Sequence, residues 1–407
     1  MKTKHKFKTI LFLGVIACLL LLGYVTLPAI FSQSYSSAVK ADESITDTVN
    51  KEIIAEAPIV APVEHIETPE SVKAIYMTAC AAGTPSFRTN IVSLLDQTEL
   101  NAVIIDVKDF SGTLSIPSEN PLLASAVGGK GCKVKDMKDF VATLHAKDVY
   151  VIARVTVFQD PLYATLHPNE AIKRISDGKL WADKNGLNYL YPGSESVWNY
   201  IVAIAEESYA MGFDEINFDY IRFPSDGDIK NMAVPAASGL TKADIIENFF
   251  SYLNSRLKDT GMVTSADLFG MTTTNRDDLG IGQVLERTLP YFDYVAPMVY
   301  PSHYPKGFNG WSNPNSVPYE LIHFVMQSAV ERTTALKNDV TQPEWLREKV
   351  SPDQLRPWLQ NFSLGQPPYG ANEIAGQIKA THDVGLDSWF LWDASNKYTN
   401  TKAGLSL

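Results

Sequence analysis

Short apolar runs alternate with amphipathic stretches along most of the chain. The runs fall at residues 72–79, 102–108, 149–157, 215–223, 264–271, 294–300, 355–362 and 388–392. They are mostly β-branched or aromatic, the composition of strands buried on both faces of a parallel sheet. Between them the apolar spacing becomes helical. Phe87, Ile91, Leu94 and Leu95 form one such stripe, and Met137, Phe140, Val141 and Leu144 another. Val197, Ile201, Ile204 and Ala205 continue the series, as do Ile245, Phe249, Tyr252 and Leu253. Eight strands with intervening helices predict an α/β fold, a (β/α)8 TIM barrel over 71–400. Its final helix is expected to be weak or missing, because few residues follow Asn396. An open doubly wound sheet is the alternative. Neither G-x-G-x-x-G nor G-x4-G-K-[ST] follows any strand, which counts against it.

The N-terminal region does not follow this rhythm. Lys2, Lys4, Lys6 and Lys8 lead into an apolar stretch at 10–31, broken only by Gly14, Gly23, Thr26 and Pro28. That stretch is long enough to cross a bilayer, with the lysines on the cytoplasmic side. Residues 1–31 therefore read as a signal-anchor or signal peptide. Val39-Lys40-Ala41 would be a distant cleavage site, and Val15-Ile16-Ala17-Cys18 has lipobox character, but four leucines follow Cys18. The anchor is the favoured reading. Residues 32–70 are polar and rich in Ala, Val, Glu and Pro, a linker without a core. The barrel is expected to be extracytoplasmic, membrane-anchored or secreted, with the membrane as a partner through the N-terminal segment.

Composition narrows the partners. Of 407 residues, 45% are hydrophobic and 20% charged, as in ordinary globular chains. The net charge is −11, and with the four N-terminal lysines set aside the remainder has 31 basic against 46 acidic residues, a net −15. Such a body has no electrostatic footprint for nucleic acid or anionic lipid, and a neutral substrate fits it better. No H-E-x-x-H, Cys/His cluster or G-x-S-x-G elbow is present, so neither a metal site nor a serine hydrolase has support, and no cofactor is implied. Cys80 and Cys132 are the two cysteines of the body; in an exported chain a disulfide between them is permitted, and two buried free thiols are the alternative.

Functional side chains of such barrels sit at the C-terminal ends of strands, and polar residues collect there. Asp106, Lys108 and Asp109 end the second strand, and Arg154 lies on the third. Asn217, Asp219 and Arg222 end the fourth, Asp267 lies on the fifth, Tyr300 and His303 follow the sixth, and Trp392 and Asp393 end the eighth. Glycosidic cleavage needs two carboxyl groups, one protonated and one ionised. Asp219 is the candidate nucleophile or base, with Arg222 as the cation that keeps a nearby carboxylate ionised. Asp267 is the candidate acid, its pKa raised by the apolar flank of Ala266, Leu268 and Phe269. It could equally be an interior partner of Arg154 or Lys108, and Asp106 and Asp393 are the substitutes. Tyr76, Tyr300, His303 and Trp392 would supply sugar platforms and hydroxyl contacts, with Asp106, Lys108, Arg154, Arg222 and Asp393 as further substrate-binding candidates.

Four stretches carry a resemblance. They are Gly212-Phe213-Asp214-Glu215-Ile216-Asn217-Phe218-Asp219-Tyr220-Ile221-Arg222-Phe223-Pro224, Asp293-Tyr294-Val295-Ala296-Pro297-Met298-Val299-Tyr300, Ile105-Asp106-Val107-Lys108-Asp109 and Trp389-Phe390-Leu391-Trp392-Asp393. Together they resemble one bacterial family of glycosyl hydrolase barrels, over about residues 71–400. The family is distantly like α-amylase-type and α-galactosidase-type barrels, which place an Asp nucleophile at the end of strand four. The resemblance implies a glycosidase acting on an extracellular or cell-wall polysaccharide. Chitinase-like barrels share the Asp but place a catalytic Glu two residues later, where this chain has Ile221. A barrel that only binds carbohydrate is the main rival reading, and a scaffold without a ligand is the third.

Overall fold

The computed structural model describes residues 63–234 and 239–407. The segment 1–31 and the linker up to residue 62 lie outside the described residues. Eight parallel strands close into a barrel in chain order. They are β1 (Lys73–Met77), β2 (Ala102–Lys108), β3 (Tyr150–Thr156), β4 (Glu215–Asp219), β5 (Val263–Phe269), β6 (Tyr294–Met298), β7 (Trp358–Gln360) and β8 (Trp389–Trp392). A helix follows each strand: α1 (Pro85–Asp96), α2 (Met137–His145), α3 (Glu195–Ala210), α4 (Lys242–Leu257), α5 (Leu285–Thr288), α6 (Pro318–Asn338), α7 (Ala371–Asp383) and α8 (Thr401–Leu405). Every predicted apolar run carries a strand. The run at 215–223 stops being one at Asp219, because Tyr220 turns into the left-handed region at φ 53°, where an L side chain is strained. The closing helix α8 is present but only five residues long. Among the described residues no helix is long and apolar enough to cross a membrane.

Alternation along the strands makes two cores. Ile75, Val103, Val151, Ile216, Phe218 and Leu391 face outward and pack with Leu95, Phe140, Ile201 and Phe249 of the helices. Ala74, Tyr76, Ile104, Ile152, Trp358 and Phe390 face inward and fill the barrel. Fully burying one such large side chain contributes roughly 1.5–3 kcal/mol, so a one-residue slip of any strand is strongly disfavoured. The N-terminal half of the interior also holds a buried ion pair, Arg356 Nη1 to Glu215 Oε2 at 2.9 Å, with Tyr150 Oη donating to the same oxygen at 3.1 Å.

Residues 63–70, compositionally part of the linker, belong structurally to the barrel. The Ile66 amide donates to Asp214 Oδ1 at 2.7 Å, Thr68 Oγ1 lies 3.1 Å from Tyr150 Oη, and the His65 ring stacks on Tyr209 at 3.9 Å. Local composition could not reveal this, because the partners are 82 and 148 residues away.

Cys80 and Cys132 form a disulfide with Cα atoms 5.1 Å apart, across 52 residues of sequence. It ties the end of β1 to the long connection after β2. Replacing both cysteines by alanine is expected to lower stability by roughly 2–4 kcal/mol, because the unfolded chain regains the freedom of a long loop. Denaturant titration of the oxidised protein and the double variant measures this; equal midpoints would refute it.

Candidate active site

The C-terminal end of the barrel opens into a cavity of 390 Å³, within the roughly 300–1,000 Å³ of ligand pockets. Arg154, Asp219, Arg222, Asp267, Tyr300, His303 and Trp392 line it, as do Tyr220, Phe269, Met298, Tyr304 and Trp358. A second depression of 490 Å³ lies outside the barrel between α1 and α2, where Arg88 and Asp136 neutralise each other. Its carboxylates, Asp96, Asp136 and Asp139, are all exposed to solvent, whereas those of the barrel mouth are buried.

Arg154 organises the charges there. It is nearly fully buried, as required for a side chain rising inside a closed barrel from β3. Its Nη1 donates to Asp106 Oδ1 at 2.7 Å, its Nη2 pairs with Asp219 Oδ2, and its Nε stands 4.0 Å from Asp267 Oδ2. The register explains this: Asp106 lies level with Arg154, and Asp219 lies level with Thr156, one step up the inner face of the next strand. The second oxygen of Asp219 accepts the Tyr220 amide. Sequence reasoning gave the role of counter-cation to Arg222, but Arg222 donates to Phe223 O at 3.0 Å and to Ser225 Oγ at 3.4 Å instead. The cation beside Asp219 comes from the neighbouring strand.

Asp267 occupies a different environment. Its Oδ1 accepts from Asn217 Nδ2 at 2.9 Å and from Trp358 Nε1 at 2.8 Å. Burial first, and then the negative charge of Asp219, hold its carboxyl well above the usual carboxylate range, and Arg154 offsets this only in part. Asp106 is also raised by burial, against the pull of Arg154 and of the Tyr76 hydroxyl that donates to it.

The aromatic groups form a floor and a wall. Trp392 lies on Tyr76 with ring centroids 3.9 Å apart, and the Arg154 guanidinium sits 5.0 Å from the Trp392 ring. Tyr76 is beneath the cavity rather than on its lining, and so is Asp106. Tyr300 and His303 meet edge-on at 5.4 Å. Burial lowers the His303 pKa and raises that of Tyr300, so both are neutral near pH 7.

Two of the sequence candidates lie elsewhere. A β-bulge between Asp106 and Lys108 breaks the alternation of β2. Lys108 consequently points out of the barrel, pairs with Asp160 at 2.9 Å and donates to Val157 O at 3.5 Å. Asp393 accepts from the amide and hydroxyl of Ser395 at 2.8 and 2.7 Å and so fixes the turn after β8. Asn217 was placed at the end of the fourth strand without a role and Trp358 was not singled out, although both sit at inward positions whose alternation was readable. Among the described residues, no group of three His, Cys, Asp or Glu side chains converges as a metal site would require.

A closed parallel barrel whose C-terminal mouth gathers carboxyl groups and aromatic faces has the architecture of a glycosidase. The chain belongs to the family described as "putative glycosyl hydrolase domain", whose model matches residues 74–398. A hypothetical protein of known structure from Ruminiclostridium thermocellum is 32% identical, the match covering 51% of this chain and 98% of that one at a TM-score of 0.44. The glycoside hydrolase domain of PgaB (BpsB) from Bordetella bronchiseptica is 13% identical over 80% of this chain and 95% of its own, with a TM-score of 0.55. Alpha-L-fucosidase isoenzyme 2 from Paenibacillus thiaminolyticus is 11% identical over 82% of this chain and 48% of its own, with a TM-score of 0.53. The last two similarities show the fold. No curated protein matches the chain.

Proposed function

We propose that the barrel hydrolyses O-glycosidic bonds of an extracellular or cell-wall polysaccharide, with Asp267 as proton donor and Asp219 as the ionised partner. One observation carries this reading: two carboxyl groups on adjacent strands line one cavity in different environments, one against a buried cation and the other with its proton held by burial. Asp219 is paired with a buried guanidinium, whereas Asp267 is buried beside that negative charge. The two donors on Asp267 both take Oδ1, leaving Oδ2 for the proton that passes to the departing glycosidic oxygen. Asp219 then attacks or stabilises the oxocarbenium-like carbon, with Tyr300, His303 and Trp392 holding the sugar, and water that gives its proton back to Asp267 adds at that carbon, releasing the sugar and freeing Asp219. Phe218 pairs with Ala266, so Asp219 and Asp267 follow at one level on neighbouring strands. Strands lie about 4.8 Å apart, which favours the close spacing of retaining enzymes, about 5–5.5 Å, over the wider inverting one. The disulfide and the basic, apolar N-terminus support a location outside the cytoplasm. The test is turnover of the purified chain on a panel of glycans, with D219N as control; no cleavage of any glycan would overturn the reading.

The pH profile supplies a second check. The acid must be protonated, so activity falls as pH rises through the raised pKa of Asp267. The Trp358 indole donates to the carboxylate form and lowers that pKa. W358F is therefore expected to move the alkaline limb of kcat/KM upward, by roughly half to one pH unit for one lost hydrogen bond. A limb that stays or moves down would remove Asp267 from the acid role.

A further inference from the structure

We propose that the sugar bound in this cavity carries a carboxylate, and that Arg222 recognises it. The inference rests on the reading of the cavity as a sugar site and names the class of sugar. Four arginines of the described residues are buried: Arg154, Arg222, Arg332 and Arg356. Three have carboxylate partners, since Arg154 pairs with Asp106 and Asp219, Arg332 with Glu286, and Arg356 with Glu215. Arg222 is only 6% exposed, yet among the described residues it forms no ion pair. Burying a cation without a counter-charge is costly, and the buried arginine that lacks one lines the cavity.

The geometry presents Arg222 to a ligand. Its Nη1 is held by Phe223 O and Ser225 Oγ. Its guanidinium carbon lies 4.8 Å from the Tyr220 ring centroid and 4.4 Å from that of Phe269. The aromatic faces fix the plane of the group without neutralising it. Nε and Nη2 have no hydrogen-bond partner among the described residues, and a planar pair of N–H donors matches a carboxylate with two parallel bonds. Arg154 cannot serve this purpose, because Asp106 and Asp219 already neutralise it. The net charge of −11 had favoured a neutral substrate. At physiological ionic strength exposed charges are screened beyond about 8 Å, so the local unpaired cation, and not the distant surface, decides what the cavity accepts.

The test uses the full chain in detergent, carrying D267N so that ligands are bound and not turned over. Calorimetric titration compares glucuronate with glucose, galacturonate with galactose, and N-acetylmuramate with N-acetylglucosamine. At least one carboxylated sugar is expected to bind tenfold or more tightly than its neutral counterpart. Adding R222Q should bring the two within twofold, while R222K, which keeps the charge but not the paired donors, should retain part of the preference. Neutral sugars binding as tightly as their carboxylated counterparts, or a preference that survives R222Q, would overturn the proposal. If the preference is present and depends on Arg222 but no polymer is ever cut, the hydrolase reading fails and this inference stands.

Discussion

D219N is expected to cut turnover by roughly three orders of magnitude or more while the barrel remains folded. Asparagine keeps the size of the side chain and an oxygen for Arg154 and for the Tyr220 amide, so the loss falls on chemistry rather than on packing. D267N should be similarly inactive but should differ in stability. The pKa of Asp267 is raised in the folded state, so its share of stability is fully present below the unfolded carboxyl pKa, about 3.9, and is lost as pH rises through the folded value. At pH 7 the aspartate therefore costs stability that asparagine does not. D267N should gain roughly 1–2 kcal/mol at pH 7 and close to nothing at pH 3, where aspartate is protonated in both states. Steady-state kinetics together with thermal unfolding at the two pH values separate the roles. Near-wild-type turnover by folded D219N would end its assignment, and a D267N variant less stable at pH 7 than at pH 3, relative to wild type, would contradict a protonated Asp267.

The strands were legible because each buries apolar residues on both faces, so that a run such as 102–108 stands out whatever its neighbours are. The ends were harder to place. At Tyr220 the chain leaves the sheet through a positive φ that no apolar pattern announces, since Ile221 and Phe223 are themselves buried. Residues 63–70 escaped for a related reason: their order comes from contacts with Asp214 and Tyr150, far along the chain. The cavity was legible at the level of strand ends. Asp219, Asp267, Arg154, Arg222, Tyr300, His303 and Trp392 all line it.

The approach of Asp267 to Arg154 and the Cys80–Cys132 bond were among the pairings the sequence offered, but the other charge pairings were not legible, because they depend on register. Arg222 stands three residues from Asp219 in sequence and does not pair with it, whereas Arg154, 65 residues away, does. A single bulge after Asp106 was enough to turn Lys108 from a mouth residue into the partner of Asp160 behind the strands. Trp358 opens a three-residue strand, and the buried polar or aromatic positions Arg356, Trp358 and Gln360 alternate along the strand and the residues just before it. That alternation was visible, but the indole's task, donating to Asp267, required the closure of the barrel.

R154M is expected to be the most destabilising single change at the mouth, costing about 3–5 kcal/mol at pH 7. Methionine fills much of the same length and keeps contact with the Trp392 and Tyr76 rings, which the guanidinium carbon approaches at 5.0 and 5.7 Å. What it removes is the positive charge that Asp106 and Asp219 share and toward which Asp267 leans. Carboxyl groups packed into one barrel layer without a cation cannot all stay ionised, so their pKa values rise together and the variant takes up protons on folding. The sign follows from linkage. A raised folded pKa makes the stability loss largest above that pKa and smallest below the unfolded carboxyl value, so R154M should approach wild-type stability as pH falls toward 3. R154K should lie between the two, because one ammonium can sit against Asp106 or Asp219 but cannot span both as the planar guanidinium does. Chemical denaturation of the three proteins between pH 3 and pH 7 checks the prediction. A penalty for R154M that is independent of pH would mean that Arg154 acts through packing alone and not as the shared counter-charge of Asp106 and Asp219.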